Sequence, residues 1–275
     1  MSVAASVAGT ERIARAFRRA REEDRLAIAV YLTVGFPEPA ATSTLARAAL
    51  DGGADLIELG VPFSDPLADG ATVQRASETA LRNGTTLRRC LAAGAELVAD
   101  RDAAVLLMGY ANPFLRYQGG LSRFAADAAS VGLAGIIVPD LPAEESAEFT
   151  AALDPHELAR IDLYAPTTGD ERLAQLVPRA RGFVYCVSLT GVTGARRELA
   201  ANVGAFVARV RRHTSLPIVV GFGVSTPSHV AGLRGVADGV AVGSAALDAV
   251  AAAPEALRAD ALRDFVAALA AAGKA

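Results

Sequence analysis

Short, nearly continuous apolar runs alternate with amphipathic stretches along the chain. We predict eight buried strands from these runs, at residues 27–34, 55–60, 104–109, 135–139, 161–165, 182–188, 217–222 and 239–242. Runs of this kind are typical of parallel strands that are buried on both faces. The stretches between them are rich in Ala, Leu and Arg at helical spacing, as in 42–50, 121–131 and 203–212. The pattern therefore predicts strands and helices in alternation.

Eight strand–helix units in 275 residues predict an α/β fold, a (β/α)₈ TIM barrel, with residues 1–275 forming a single domain. We expect an extra N-terminal helix at 11–23 before the first strand, and a last helix in the tail at 254–272. The alternative is an open, doubly wound sheet. Its dinucleotide-binding form is disfavoured, because the first strand–helix turn reads VGFPEPA and lacks the G-x-G-x-x-G pattern.

Charge and hydropathy argue against a nucleic-acid-binding, membrane-spanning or secreted protein. The formal net charge is −3, whereas a nucleic-acid surface needs a basic patch. No apolar run reaches the ~18 residues of a membrane span, and the N-terminus lacks the order of a signal peptide. We therefore expect a soluble, cytoplasmic protein that binds neither nucleic acid nor membrane.

The reactive side chains exclude several chemistries. The only lysine is Lys274, near the C-terminus, so a Schiff-base or pyridoxal phosphate lysine inside the fold is missing. Two cysteines predict no disulfide framework, and the three histidines stand at no metal-ligand spacing. We expect no metal and no cofactor in this chain. Its chemistry should rest on carboxylates, hydroxyls and backbone amides.

The second predicted strand carries the first candidate catalytic group. Because side chains alternate along a strand, Leu56 and Glu58 should point into the barrel while Ile57 and Leu59 pack against helices. The neighbouring strands offer no cation to Glu58, so burial should raise its pKa. A raised carboxyl pKa suits a general acid or base at neutral pH. The open alternative is a glutamate that reaches solvent or a loop amide.

The following segment, VPFSDPLADGATVQ (61–74), is long for a loop between a strand and a helix. It holds Asp65 and Asp69, and Asp69 should lie over the same barrel mouth as Glu58. Two carboxylates on different supports suit a proton-transfer role and an orienting role. Asp69 followed by glycine is also an ordinary turn sequence.

Glycine-rich turns follow the last three predicted strands. They read LTGVTGARR at 189–197, GFGV at 221–224 and VGSA at 242–245. Barrels frequently bind a phosphate between the loops after strands seven and eight, where glycines let backbone amides approach the ligand. The sequence therefore predicts a phosphate site. Tyr31, Met108 and Tyr185 could line an apolar, partly aromatic pocket opposite it, or pack in the core.

These segments resemble one family. IELGVPFSDPLADG (57–70) resembles the characteristic sequence of the tryptophan synthase α-subunit family. The family's other motifs follow in its order: LMGYANPF (107–114), VPDLPAEES (138–146), TGVTGAR (190–196), GFGV (221–224) and GS (243–244). The resemblance implies a (β/α)₈ lyase that splits indole-3-glycerol phosphate into indole and glyceraldehyde 3-phosphate by retro-aldol cleavage.

The resemblance also implies roles for individual residues. Glu58 corresponds to the main acid–base group, and Asp69 to the group that holds the indole N–H. Tyr31 and Met108, as predicted lining of the pocket, would then contact the indole or glycerol part of the substrate. The same holds for Tyr185, which matches a pocket tyrosine, and for Thr193, which matches the threonine of a closing loop. Amides that hold the phosphate map onto Gly194, Gly223, Gly243 and Ser244.

The implied partner is the tryptophan synthase β-subunit, which carries pyridoxal phosphate and consumes the indole in an α₂β₂ heterotetramer. Its contact face should include the loops after strands two and six. Two alternatives stay open: a stand-alone lyase that releases indole, and a catalytically silent, phosphate-binding barrel subunit. The chain departs from the family's pattern at Tyr31, where phenylalanine is common, at Ala71, where many members have proline, and at Leu189.

Overall fold

The computed structural model describes residues 8–187, 196–221 and 223–274. Within them, eight parallel strands form a closed barrel in which each strand pairs with the next and the eighth pairs with the first. The strands are β1 (Ala27–Thr33), β2 (Leu56–Gly60), β3 (Ala104–Met108), β4 (Gly135–Ile137), β5 (Ala159–Tyr164), β6 (Val184–Val187), β7 (Ile218–Gly221) and β8 (Gly239–Val242). The predicted barrel is confirmed.

Helices surround the barrel and precede its first strand. They are α1 (Gly9–Glu22), α2 (Ala41–Asp51), α3 (Ala71–Arg82), α4 (Leu87–Asp100), α5 (Ala111–Leu115), α6 (Gly120–Ser130), α7 (Ala147–Leu153), α8 (Asp170–Leu176), α9 (Arg196–Arg211), α10 (Pro227–Ala231), α11 (Ser244–Ala252) and α12 (Arg258–Ala272). The predicted extra N-terminal helix is α1, and the predicted last helix is α12. None of the helices in the described ranges is long and apolar enough to cross a membrane.

The predicted start of β5 is wrong. The strand begins at Ala159 and includes Arg160, whereas the apolar run that predicted it begins at residue 161. Arg160 and Asp162 are both largely buried and form an ion pair with each other along one face of the strand. Because the two charges neutralise each other at close range, a segment that is not apolar in sequence is still buried as a strand.

The loop that carries Asp69 is shorter than predicted. α3 begins at Ala71, so the loop after β2 spans residues 61–70 and the remainder of the predicted loop is helical. Asp69 therefore lies directly before Gly70, the residue that precedes the first turn of α3. A position next to a helix start restricts the backbone more than the middle of a long loop would.

Alternation along β2 divides its side chains between two cores. Ile57 and Leu59 belong to the outer cluster, between the sheet and the helices, whereas Leu56 belongs to the inner cluster inside the barrel. Glu58 follows the period of two and points inward, where it is 1% exposed. The predicted orientation of all four side chains is confirmed.

Helix α1 closes the amino-terminal end of the barrel. Ile13, Phe17 and Ala20 of this helix are buried in the inner cluster, and the Phe17 ring packs against Phe183 with centroids 5.6 Å apart. Apolar side chains on one face of an amphipathic helix thus close this end of the barrel against water. Among the described residues, the cavity that reaches Glu58 opens at the carboxyl-terminal end of the strands.

An ion-pair network holds that closed end together. Asp55, just before β2, is 1% exposed and accepts hydrogen bonds from Arg25 at 2.6 and 2.8 Å, Arg19 at 2.8 Å and the Ile28 amide at 2.9 Å. Every bond to this carboxylate comes from α1, β1 or the segment between them. The network therefore joins the first helix to the first two strands.

Candidate active site

A cavity of about 310 Å³ opens at the carboxyl-terminal end of the strands. Its walls come from β1, β2, β3, β6 and β8 and from the segments that follow β2, β7 and β8. The predicted site residues that line it are Tyr31, Glu58, Asp69, Met108, Tyr185, Gly223, Gly243 and Ser244. Three others named from the sequence, Leu189, Thr193 and Gly194, lie outside the described residues.

A larger cavity, of about 490 Å³, lies at the opposite end of the barrel beside Arg21, Arg25 and Asp238. Two of these charges already have partners: Arg25 binds Asp55, and Asp238 pairs with Arg211. Functional groups of this fold lie at the carboxyl ends of the strands. We therefore assign the candidate site to the smaller cavity, where two carboxyl groups face a common space.

Glu58 is the most buried charged group of the candidate site. It lies between Tyr31 of β1 and Leu106 of β3 in the strand register. Its Oε1 atom is buried without a hydrogen-bond partner among the described residues. Burial in these surroundings raises the pKa of Glu58 to about 8. The side chain is thus mainly protonated at neutral pH and can act as an acid.

Asp69 enters the cavity from the loop 61–70. Its backbone is fixed on both sides, because the Asp69 amide donates to the Pro66 carbonyl at 3.1 Å and the Gln74 side chain donates to the Asp69 carbonyl at 2.9 Å. Burial raises the pKa of Asp69 to about 6, and a hydrogen bond from the Tyr110 phenol opposes that rise. Asp69 is therefore mainly ionised at neutral pH, while Glu58 is mainly protonated.

The two tyrosines of the cavity share one geometry. Tyr31 of β1 leans over β2 so that a Cβ atom at Gly60 would overlap its phenol, and Tyr185 of β6 leans over β7 in the same way toward Gly221. In both cases glycine leaves room for the ring on the adjacent strand. Met108 completes this apolar wall at the end of β3. The rings and Met108 suit a flat apolar ligand.

Backbone amides gather where β7 and β8 end, with Gly243 beside the Tyr31 ring. Gly223, with φ of 101°, lies after β7, and Gly243 precedes the first turn of α11. No side chain caps the start of α11 within the described residues, so the amides of Ser244 and Ala245 are available to a ligand at the cavity wall. Helix amino-termini bind anions through such amides and the helix dipole. This side of the cavity can hold a phosphate.

Cations and metal ligands do not contribute to this wall in the described part of the chain. No arginine, lysine or histidine is among the described residues that line the cavity. Across the described ranges, no three His, Cys, Asp or Glu side chains are grouped to hold a metal ion. The chemistry that these residues offer is acid–base transfer by two carboxyl groups with unequal pKa values, beside an amide-rich anion site.

Tyr110 lies beside the site but is not among the residues predicted from the sequence. It follows β3, its ring stacks on Phe63 with centroids 5.2 Å apart, and its hydroxyl oxygen accepts from the Ala68 amide at 2.9 Å. These contacts attach the loop 61–70 to the loop after β3 and place the phenol next to Asp69. The position of Tyr110 just after a strand was the available signal, because barrel sites form there. Ser225 and Val73 also line the cavity and were missed.

Comparison with known proteins gives a consistent result. A family model described as tryptophan synthase alpha chain matches residues 17–272. A tryptophan synthase alpha chain of Chloroflexus aggregans is 53% identical over 238 residues, which cover 86% of this chain and 88% of the relative. One from Roseiflexus castenholzii is 54% identical over 241 residues, which cover 87% of this chain and 91% of the relative.

Solved structures agree with the sequence relatives. The structure of tryptophan synthase from M. tuberculosis in an aminoacrylate-bound form superimposes with a TM-score of 0.86 at 37% identity, covering 96% of this chain and 99% of that chain. Tryptophan synthase subunit alpha from Legionella pneumophila gives a TM-score of 0.87 at 32% identity, covering 95% and 97%. The likeness extends over nearly the whole fold.

Proposed function

Because this chain belongs to the tryptophan synthase alpha chain family, a lyase of tryptophan biosynthesis, we propose that Glu58 and Asp69 are its catalytic pair. The reaction is the retro-aldol cleavage of indole-3-glycerol phosphate to indole and glyceraldehyde 3-phosphate. The observation that supports the assignment most strongly is the Glu58 carboxyl group, buried inside the barrel with an unpartnered oxygen and a raised pKa.

Glu58 carries out both proton transfers in this proposal. The protonated carboxyl group first donates its proton to C3 of the indole ring, which makes the ring an electron acceptor. The resulting carboxylate then takes the proton of the adjacent glycerol hydroxyl as the carbon–carbon bond breaks. The aldehyde leaves as glyceraldehyde 3-phosphate, the electron pair returns to the ring as indole, and Glu58 ends protonated as it began.

Asp69 stabilises the charge that develops during this sequence. Protonation at C3 gives the indole nitrogen positive character, and an ionised carboxylate that accepts the indole N–H stabilises that state more than the ground state. The pKa of Asp69, about 6, keeps the group ionised at neutral pH. Its bond from Tyr110 and its fixed backbone support the orientation that this role requires.

In this proposal, the phosphate and the indole ring of the substrate contact different parts of the cavity wall. Gly223, Gly243 and Ser244 offer amides to the phosphate, and Gly194 joins them by resemblance to the family. The indole ring lies against Tyr31, Met108 and Tyr185, and Thr193 acts from the loop after β6. A volume of about 310 Å³ is at the lower end of ordinary small-ligand pockets, which suits a substrate of this size.

The family implies a β-subunit partner, and we propose an α₂β₂ heterotetramer in the cytoplasm. Pyridoxal phosphate belongs to the partner in this proposal, and residues 1–275 of the present chain form one cofactor-free domain. Leu67 supports a contact face at the loop 61–70, because it is 93% exposed on the segment that carries Asp69. Indole is small and apolar, so a partner at this mouth would capture it before it diffuses away.

An assay of indole release from indole-3-glycerol phosphate tests the proposal. The purified chain should release indole, and adding the β-subunit should raise the rate strongly. An unchanged rate on mixing would favour a stand-alone lyase over the complex. Absence of cleavage both with and without the partner, while the chain still binds the substrate, would instead favour a silent binding subunit.

A further inference from the structure

Two helices meet at the mouth of the cavity, and each supports one half of the proposed site. α3 begins at Ala71, two residues after Asp69, and α11 begins at Ser244, whose amide is available to a phosphate. Val73 of α3 and Leu247 of α11 are both buried in the inner cluster, and the two helices are in contact. The carboxylate half and the phosphate half of the site are thus held by neighbouring helices.

A polar bridge links the same two helices outside the cavity. The Thr72 hydroxyl of α3 donates to the Asp248 Oδ1 atom of α11 at 3.1 Å, and the Arg75 Nη2 atom donates to the Thr72 oxygen at 3.1 Å. Arg75 also lies 3.9 Å from the Asp248 carboxylate. Because a guanidinium group only donates, the Thr72 hydroxyl accepts from Arg75 and directs its own proton to Asp248. The neighbours of Thr72 therefore fix the direction of its bond.

The first turn of α3 has no negative group of its own. Gly70 precedes the helix and has no side chain to cap it, and the turn itself, ATVQ, contains no acidic residue. The free amides at a helix start carry partial positive charge, which a nearby carboxylate stabilises. Asp248 provides such a carboxylate through its bond with Thr72, the second residue of α3. Asp248 therefore stabilises the start of α3 from the neighbouring helix.

The start of α3 in turn holds the backbone of Asp69. The Gln74 amide donates to the Gly70 carbonyl at 3.0 Å and closes the first turn of the helix. The Gln74 side chain donates to the Asp69 carbonyl at 2.9 Å. Because both bonds come from Gln74, opening of this turn would also release the Asp69 carbonyl. The Gln74 amide is therefore a direct reporter of how firmly Asp69 is held.

We propose that Asp248 is a positioning residue that, through Thr72, couples phosphate binding at the start of α11 to the placement of Asp69 before α3. The inference rests on the proposed phosphate site and on the proposed role of Asp69. Phosphate fixes the first turn of α11, and the bond between Asp248 and Thr72 holds the first turn of α3 against it. Binding energy from the phosphate, which does not react, is thereby used to orient the carboxylate that acts on the indole ring.

Hydrogen exchange of the Gln74 amide, measured by NMR, tests this coupling without turnover. Saturating inorganic phosphate should slow this exchange in the wild type by about 2- to 10-fold, the range expected for one hydrogen bond. In Asp248→Ala, calorimetry should show that phosphate still binds, because the amides of α11 remain, but phosphate should no longer slow the exchange. Thr72→Val should abolish the response equally, whereas Thr72→Ser, which keeps the donor, should retain it.

Asp100→Ala is the matched control. Asp100, the last residue of α4, also joins two helices on the protein surface, since it accepts from Arg47 of α2 at 2.8 Å. The described lining of the cavity includes no residue of α2 or α4. Asp100→Ala should therefore respond to phosphate as the wild type does. An equal response in the wild type and Asp248→Ala would overturn the proposal, as would a lost response in Asp100→Ala or no response in the wild type.

Indole release separates this inference from the proposed function. Asp248→Ala and Thr72→Val should each lower kcat by about 2- to 10-fold with a smaller change in KM, and the double variant should match either single one because both remove the same bond. If the wild-type chain releases no indole while phosphate still protects the Gln74 amide through Asp248, the proposed function fails and the coupling stands. If the wild type is active and Asp248→Ala matches it in kcat and in exchange, only the coupling fails.

Discussion

Two acidic residues, Asp55 just before strand β2 and Glu58 within it, are equally buried but differ in their partners. Asp55, at the closed end of the barrel, is 1% exposed and accepts bonds from two arginines and an amide. Glu58, three positions later and also 1% exposed, keeps an oxygen with no partner among the described residues. The carboxylate just before β2 thus stabilises the fold, whereas the carboxyl group within the strand is held as a reactive group.

Burial of a carboxyl group has different consequences with and without nearby cations. At Asp55, two arginines form ion pairs with the carboxyl group, which thereby joins α1 to the sheet. At Glu58, no described cation lines the cavity, so burial acts on the proton equilibrium instead. We expect substitutions at the two positions to separate stability from activity.

Glu58→Gln should produce the largest change in activity. It keeps the volume of the side chain but removes the proton that Glu58 donates and recovers. Indole release should fall by about 10²–10⁴-fold. Steady-state assays check the rate, and circular dichroism should show an unchanged fold at pH 7. Activity within twofold of the wild type would refute the acid–base assignment.

Asp55→Asn should instead lower the stability of the fold and leave turnover nearly unchanged. The amide cannot balance the buried Arg25 guanidinium, whose side chain is 8% exposed, so the free energy of unfolding should fall by about 3–5 kcal/mol. Denaturant unfolding measures the loss. Turnover per folded molecule, measured where both proteins are folded, should stay within twofold of the wild type. A large loss of turnover in fully folded protein would show that Asp55 serves the reaction as well as the fold.

The difference in stability between Glu58→Gln and the wild type should depend on pH in a defined direction. Glu58 has a pKa of about 8 in the folded chain and an ordinary value of 4.5 when unfolded. The folded state therefore binds the extra proton between these values, and the wild type loses stability as pH rises through that window. Gln cannot ionise, so the variant should gain about 2–5 kcal/mol over the wild type from pH 5 to pH 9.

Thermal or denaturant unfolding of both proteins across that pH range provides the measurement. The difference between them should be small at pH 5, where both side chains are neutral, and should grow steadily to pH 9. A constant difference over the whole range would mean that Glu58 ionises in the folded state at its ordinary pKa. In that case burial would not perturb the proton equilibrium of Glu58, and the proposed difference from Asp55 would be wrong.

Asp69→Asn should have a smaller effect and a distinct pH signature. The site needs Asp69 ionised, with a pKa of about 6, and Glu58 protonated, with a pKa of about 8, so the wild-type kcat/KM should be bell-shaped between these values. Asp69→Asn should lower activity by about 10- to 100-fold, because one charge-assisted bond is lost, and should remove the acidic limb. An acidic limb that persists in the variant would assign it to another group.

The sequence predicted the parts of this molecule that follow from periodicity. Eight apolar runs specified the barrel, and alternation along β2 placed Glu58 inside it. Strand β5 was predicted less well, because Arg160 and Asp162 pair within the strand and their mutual neutralisation has no signature in hydropathy. The sequence predicted that Glu58 is buried without a cation, but it did not predict the ion pairs of Asp55. The arginines that bind Asp55 come from α1 and from the segment between α1 and β1.

The contacts around the site depend on three-dimensional placement. The Tyr110 bond to Asp69 forms because the loops after β2 and β3 pack together, as the stacked Phe63 and Tyr110 rings show. The overlap that makes glycine necessary at position 60 arises only when Tyr31 crosses to the adjacent strand. Both contacts join residues on different strands or loops, so the spacing of residues along the sequence does not predict them.

Direct titration of the Glu58 carboxyl group decides whether it holds a proton at neutral pH. NMR of ¹³C-glutamate-labelled protein, with the Glu58 signal assigned by its loss in Glu58→Gln, follows its protonation without relying on turnover. We predict a midpoint at about pH 8, so that the group is mainly protonated at pH 7. A midpoint at or below pH 5 would contradict it, because Glu58 would then be a carboxylate at neutral pH with no proton to donate.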